Sequence, residues 1–253
     1  LATALCQIDL VSGSQRFNAT DVRGHQSRTH WPTRATGGAG STGVAAALGG
    51  VATGAGVGAG SCVVAVSRVV IPTVAVDGVA CRAEAAGGRV VLPTADRFAG
   101  VTLAGARLIR DWPVLVGPLA EADCLIGMAP LKDHHRSGAS MTIKNWYGLL
   151  GGRRNVFHQD IHTIIAELAA LVRPTLVILD AVTAMMHNGP TGGSISDLAA
   201  TNTLVAGTDP VAVDAAGAQI LGRRLDELPH LQQAADAGLG VLDYRTLNPV
   251  DVP

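Results

Sequence analysis

His162-Thr-Ile-Ile-Ala-Glu-Leu-Ala-Ala-Leu-Val172, then Arg173-Pro174-Thr175, then Leu176-Val-Ile-Leu179 and Asp180, is the stretch whose reading decides the fold. In its first part Ile164, Ile165, Leu168 and Leu171 recur at the three-to-four-residue spacing that lines up apolar side chains on one face of a helix. Pro174 stops that helix, because proline lacks the N–H and clashes with the preceding turn. Leu176 to Leu179 is a short unbroken apolar run, the pattern of a strand buried on both faces, and Asp180 marks its end. Upstream, Cys124-Leu-Ile-Gly-Met-Ala129 repeats that pattern and ends at Pro130. Downstream, Thr203-Leu-Val-Ala206 is a third strand; Asp209 then caps a helix with Pro210 in its first turn, running to about Leu221 and stopping at Gly222. Short valine-rich runs in 62–76 and 89–92 allow further strands. Strands and helices in this order predict an α/β domain over residues 91–253, with a mostly parallel sheet and helices on both faces.

Residues 1–90 have another texture. They are rich in glycine, alanine and valine, with 10 glycines among the 24 residues of 37–60, and lack sustained periodicity before Cys62. The expectation is an irregular or poorly ordered low-complexity segment, either native or an off-frame reading of GC-rich DNA. Gly38-Ala-Gly-Ser-Thr-Gly43 fits the dinucleotide fingerprint formally, but residues 28–34 are no strand, and the fingerprint needs one before it. The uncharged run 35–67 offers lipid too little apolar side chain for a membrane span. Residues 1–11 have no basic segment and carry Asp9, so no export signal is read and the cytoplasm is the default compartment.

Bulk composition excludes some functions. Of 253 residues 48 % are hydrophobic and 15 % charged, with a net charge of −1, so no basic excess points to nucleic acid. Arg153-Arg154 suits a solvated turn or a phosphate contact. Cys6, Cys62, Cys81 and Cys124 stand singly, without the spacing that holds zinc or an iron–sulfur cluster.

Polar residues collect where the strands end, the place at which α/β sheets bind ligands. After the first strand come Lys132, His134, Gly138, Lys144 and Asn145; after the second, Asp180 and the loop His187-Asn-Gly-Pro-Thr-Gly-Gly193; after the third, Asp209. Lys132 and Lys144 suit an anion as point charges, or lie on the surface with packed stems. His134 and His158 could transfer protons near neutral pH, or bind a divalent metal with Asp214; His162, four residues after His158, could join them if that stretch is helical. Without the glutamate of H-E-x-x-H this is no protease motif. Asp180 could be catalytic or cap its loop, and Asp214 could be a ligand or a solvated helix residue. Gly189, Gly192 and Gly193 could cradle an anion with their amides, or form a plain turn.

The order of these motifs resembles the family called domain of unknown function 362 over about residues 96–247. The resemblance rests on Pro130, Lys132 and His134; Gly138; Ile143, Lys144, Asn145 and Gly148; His158; Asp180; Gly189 and Pro190; and Asp209, Pro210, Val211, Ala212 and Asp214. It supports His134 and His158 as site residues but not His162. Some family members carry a ferredoxin-like cluster segment or a twin-arginine signal; neither is read here. Three functions follow as expectations. The first is an enzyme for a small anionic molecule, with Lys132, Lys144 and Asn145 on an oxyanion, His134 or His158 moving protons, and Asp180 orienting the histidine. The second is a non-catalytic metal- or partner-binding module of a redox system, and the third a damaged or mistranslated member. Substrate, cofactor and oligomeric state stay open.

Overall fold

A computed structural model describes residues 62–65, 70–72, 89–91, 93–120, 122–192 and 194–252. The expectations for residues 1–61, including the glycine-rich run and the formal fingerprint, lie outside the described residues, as does Gly193. The short runs near the start of the described chain are strands: β1 (Cys62–Ala65), β2 (Val70–Pro72) and β3 (Arg89–Val91). β4 (Phe98–Val101) and β5 (Trp112–Leu115) form a small antiparallel pair, followed by one turn of helix, α1 (Gly117–Ala120).

The main sheet combines β1 with β6 (Leu125–His134), β7 (Gly138–Ser140), β8 (Leu176–Met185) and β9 (Leu198–Gly207), in the order β1-β6-β8-β9 with β7 on the far end of β6. The fold is α/β, yet this sheet is mixed. Only β6 and β8 run parallel; β1, β7 and β9 each pair antiparallel. The parallel pair is joined by a helical crossover, residues 135–175, which holds α2 (Thr142–Asn145) and α3 (Ile161–Leu171). Residues 186–197 simply return β9 alongside β8.

Two expected strand ends are bulges instead. β6 runs through Pro130, with a register shift between Pro130 and Lys132, and β8 runs through Asp180, with a shift between Ala181 and Thr183. Proline cannot donate to the ladder, so it sits where the ladder is interrupted.

The helices also differ from expectation. Among the described residues α2 and α4 (Pro210–Ile220) lie on the sheet, while α3 and α5 (Pro229–Asp236) pack against them and each other, all on one face. Val177, Leu179 and Ala181 on that face are fully buried, whereas Leu176, Ile178 and Asp180 on the other are half-buried. Gly127 lets the layers meet: a Cβ there would stand 2.7 Å from the Trp146 ring. The helix read from Ile164, Ile165 and Leu168 is present, with those three side chains buried, and Asp209 caps α4 by accepting from the Ala212 amide. No described helix is long and apolar enough to cross a membrane.

Candidate functional site

Five of the six residues expected to do chemistry meet in one cleft of about 200 Å³. Lys132 and His134 come from the C-terminal end of β6, where alternation along a strand gives residues two apart the same side. Lys144 and Asn145 come from α2, and His158 from the 3-10 helix Arg154–Asp160. Tyr147, Arg154 and Pro190 complete the walls with Ser140 of β7.

The cleft is cationic. Among the described residues no Asp or Glu lines it, and no carboxylate forms an ion pair with Lys132 or Lys144. Burial lowers the Lys132 pKa. Burial, then the nearby charges of Lys132 and Arg154, lower Lys144 to about 8. The Lys144 ammonium and the Arg154 guanidinium each lie 5.8 Å from the centre of the Tyr147 ring, whose negative face offsets part of their charge. Arg154 also donates to the carbonyls of Tyr147, Gly148 and Leu150, so it is a staple as well as a charge. Sequence alone could not separate it from Arg153, which stays exposed.

The two histidines are held differently. His134 is buried, and its Nδ1 accepts from the amides of Arg136 and Ser137, each at 3.2 Å. Burial first, and then the charges of Lys144, His135, His158 and Lys132, lower its pKa to about 3, so it is neutral at physiological pH. The His158 Nδ1 lies 3.1 Å from the Asn155 carbonyl, a contact that puts a proton on Nδ1, so that in the neutral ring Nε2 is the acceptor. Asn145 donates from Nδ2 to the Met128 carbonyl at 2.8 Å, tying α2 to β6 beneath the cleft.

The remaining expected residues lie elsewhere. Asp180 does not line the cleft; it accepts from the Val182 amide at 3.0 Å, at the bulge of β8. Asp214 is 1 % exposed and accepts from the Thr142 amide and hydroxyl and from the Ile143 amide, so it anchors the start of α2. Burial pushes its pKa up to about 6 against the pull of those donors. The amides of Gly189 and Gly192 are taken by the Asp133 carboxylate and the Asn188 carbonyl, at 2.9 Å each. That loop contributes Pro190 to the cleft wall. His162 faces His230 across the α3–α5 contact, with their Nδ1 atoms 3.0 Å apart. Among the described residues no group of three His, Cys, Asp or Glu side chains is arranged to hold a metal ion.

Asp133 was not singled out in the sequence. Buried beside His134, it pairs with Arg223 at 2.6 Å and receives the Gly189 amide, binding the loop after β8 to the end of β6. No spacing rule points to it, since its partners lie 56 and 90 residues away.

Fold and cleft together define a mixed α/β protein with a small cationic site where the central parallel pair of strands ends. Residues 44–219 match the family described as Domain of unknown function (DUF362), and the chain belongs to that family. The match begins upstream of the motifs quoted above. No curated protein and no solved structure matches the chain.

Proposed function

We propose that the cleft is an active site for a small anionic molecule. The observation that carries this reading is the convergence of Lys132, Lys144, His134 and His158 on one cleft with no carboxylate among the described residues to balance the lysines. Burying unpaired ammonium groups is costly, and an anionic ligand offsets that cost. Bound between the lysines, an oxyanion is polarised and its developing negative charge stabilised. In the neutral ring His158 Nε2 carries the lone pair, and it is the group suited to take a proton from the bound molecule and return it. Asp180 has no part in this scheme, because its carboxylate is engaged at the β8 bulge.

The test is incubation of the purified protein with a defined mixture of small carboxylic and phosphoric acids, followed by mass spectrometry. Conversion of one component, lost in His158→Gln, is expected. Binding without conversion of any component would overturn catalysis and make the protein a non-catalytic anion-binding module.

A further inference from the structure

Two half-buried ammonium groups and a buried imidazole set the demands on a ligand. Lys132 and Lys144 each lack a carboxylate partner among the described residues, so neutralising both takes two negative charges. Arg154 strengthens the positive field, and its Nη1 donates to three backbone carbonyls. At about 200 Å³ the cleft is smaller than the roughly 300 Å³ at which pockets for drug-sized ligands begin.

His134 supplies a third donor of a different kind. A ring nitrogen that accepts two amide hydrogen bonds carries no proton, so in the neutral ring the proton lies on Nε2. The turn that follows β6 therefore fixes the tautomer, and burial among cations keeps the ring uncharged. A neutral N–H orients a ligand oxygen without adding a charge that would repel the lysines.

Building on the reading of the cleft as the functional site, we infer that its ligand is a small dianionic oxyacid, a dicarboxylate or a phosphate. The ammonium groups of Lys132 and Lys144 and a neutral Nε2–H of His134 hold it. His134 is thus a hydrogen-bond donor to the ligand, and proton transfer falls to other groups.

Calorimetric titration of the full chain at pH 7 with malonate, inorganic phosphate and acetate tests this. Malonate or phosphate should bind about tenfold or more tighter than acetate, and whichever of the two binds tighter identifies the oxyacid class. Lys132→Met and Lys144→Met should each weaken that ligand about tenfold or more, the scale of a lost charge-assisted hydrogen bond. His134→Leu should do the same, whereas His134→Gln, which keeps an N–H donor, should stay within about threefold. A long-range proton–nitrogen NMR spectrum of the unmodified protein should assign the proton of His134 to Nε2, which keeps the donor role testable even if His134→Leu fails to fold. If none of the three anions binds, the reading of the cleft as an anion site falls. Equal binding of acetate and malonate overturns the dianion, and a proton on Nδ1 of His134 overturns the donor role, each while the cleft reading survives.

Discussion

Malonate binding at pH 8 should draw about half a proton per molecule from solution. The magnitude comes from Lys144, whose pKa burial and the neighbouring Lys132 and Arg154 charges bring down from 10.5 to about 8. At pH 8 half of the free protein then carries a neutral amine. A dianion in the cleft favours the ammonium, so binding completes its protonation. At pH 6.5 the amine is already charged and uptake should be close to zero. The same linkage weakens malonate about tenfold between pH 7 and pH 9, where the free amine increasingly competes as the neutral form. Calorimetry in two buffers of different ionisation enthalpy measures the proton number directly, and Lys144→Met should abolish it. No uptake at pH 8, or the same uptake in Lys144→Met, would refute the reasoning, since Lys144 would then not be the group that senses the anion.

Stability should fall as pH drops below about 6.5, because His134 and His230 both have folded-state pKa values lowered to about 3, mainly by burial. The unfolded chain takes up those protons first, so stability present above the unfolded value is lost as pH falls, by about 2 kcal/mol per histidine at pH 5. Asp214 works in the opposite direction, since its raised pKa makes acid relieve about 1 kcal/mol between pH 7 and pH 5. Urea midpoints should therefore give a net loss of about 2–3 kcal/mol over that interval, and a pH-independent midpoint would contradict it. Asp214→Ala leaves the Thr142 and Ile143 amides buried without an acceptor and should cost about 3 kcal/mol or more, read as a lower thermal midpoint. Gly189→Ala places a Cβ 1.8 Å from the Asp133 carbonyl oxygen, a backbone atom, so the loop after β8 must move. Its amide spectrum should shift around Asp133 and His135, and an unchanged spectrum would mean the loop is not held as described.

Features carried by local chemistry were legible in the sequence, and those carried by pairing were not. Ile164, Ile165 and Leu168 announce α3, and Asp209-Pro210 announces the start of α4, because helix faces and caps are settled within a few residues. β9 was read too short, since its first half runs through Thr201 and Asn202 and loses the apolar signature; its antiparallel direction depends on a partner strand. Lys132, His134, Lys144 and His158 could be gathered from motif order, and they do share the cleft. Arg154 could not be told from Arg153, because the chemistry is identical and only the following 3-10 helix decides which one turns inward.

Asp214 explains why the site could not be completed from residue types alone. An aspartate one turn into a helix suits a metal ligand, a hydrogen-bond partner or a solvated surface, and nothing in its neighbours chooses. The choice comes from α2 lying against α4, with the first amides of α2 facing the Asp214 carboxylate. Lys144 follows those amides within the same turn, and Asn145 next to it bonds back to β6. A buried carboxylate and a side-chain amide thus hold a short helix that could not persist alone, since one turn fixes several dihedrals for a single hydrogen bond. The lysine facing the cleft is positioned through the backbone that these two side chains hold, which makes the distant Asp214 as necessary to the geometry as the charge it places.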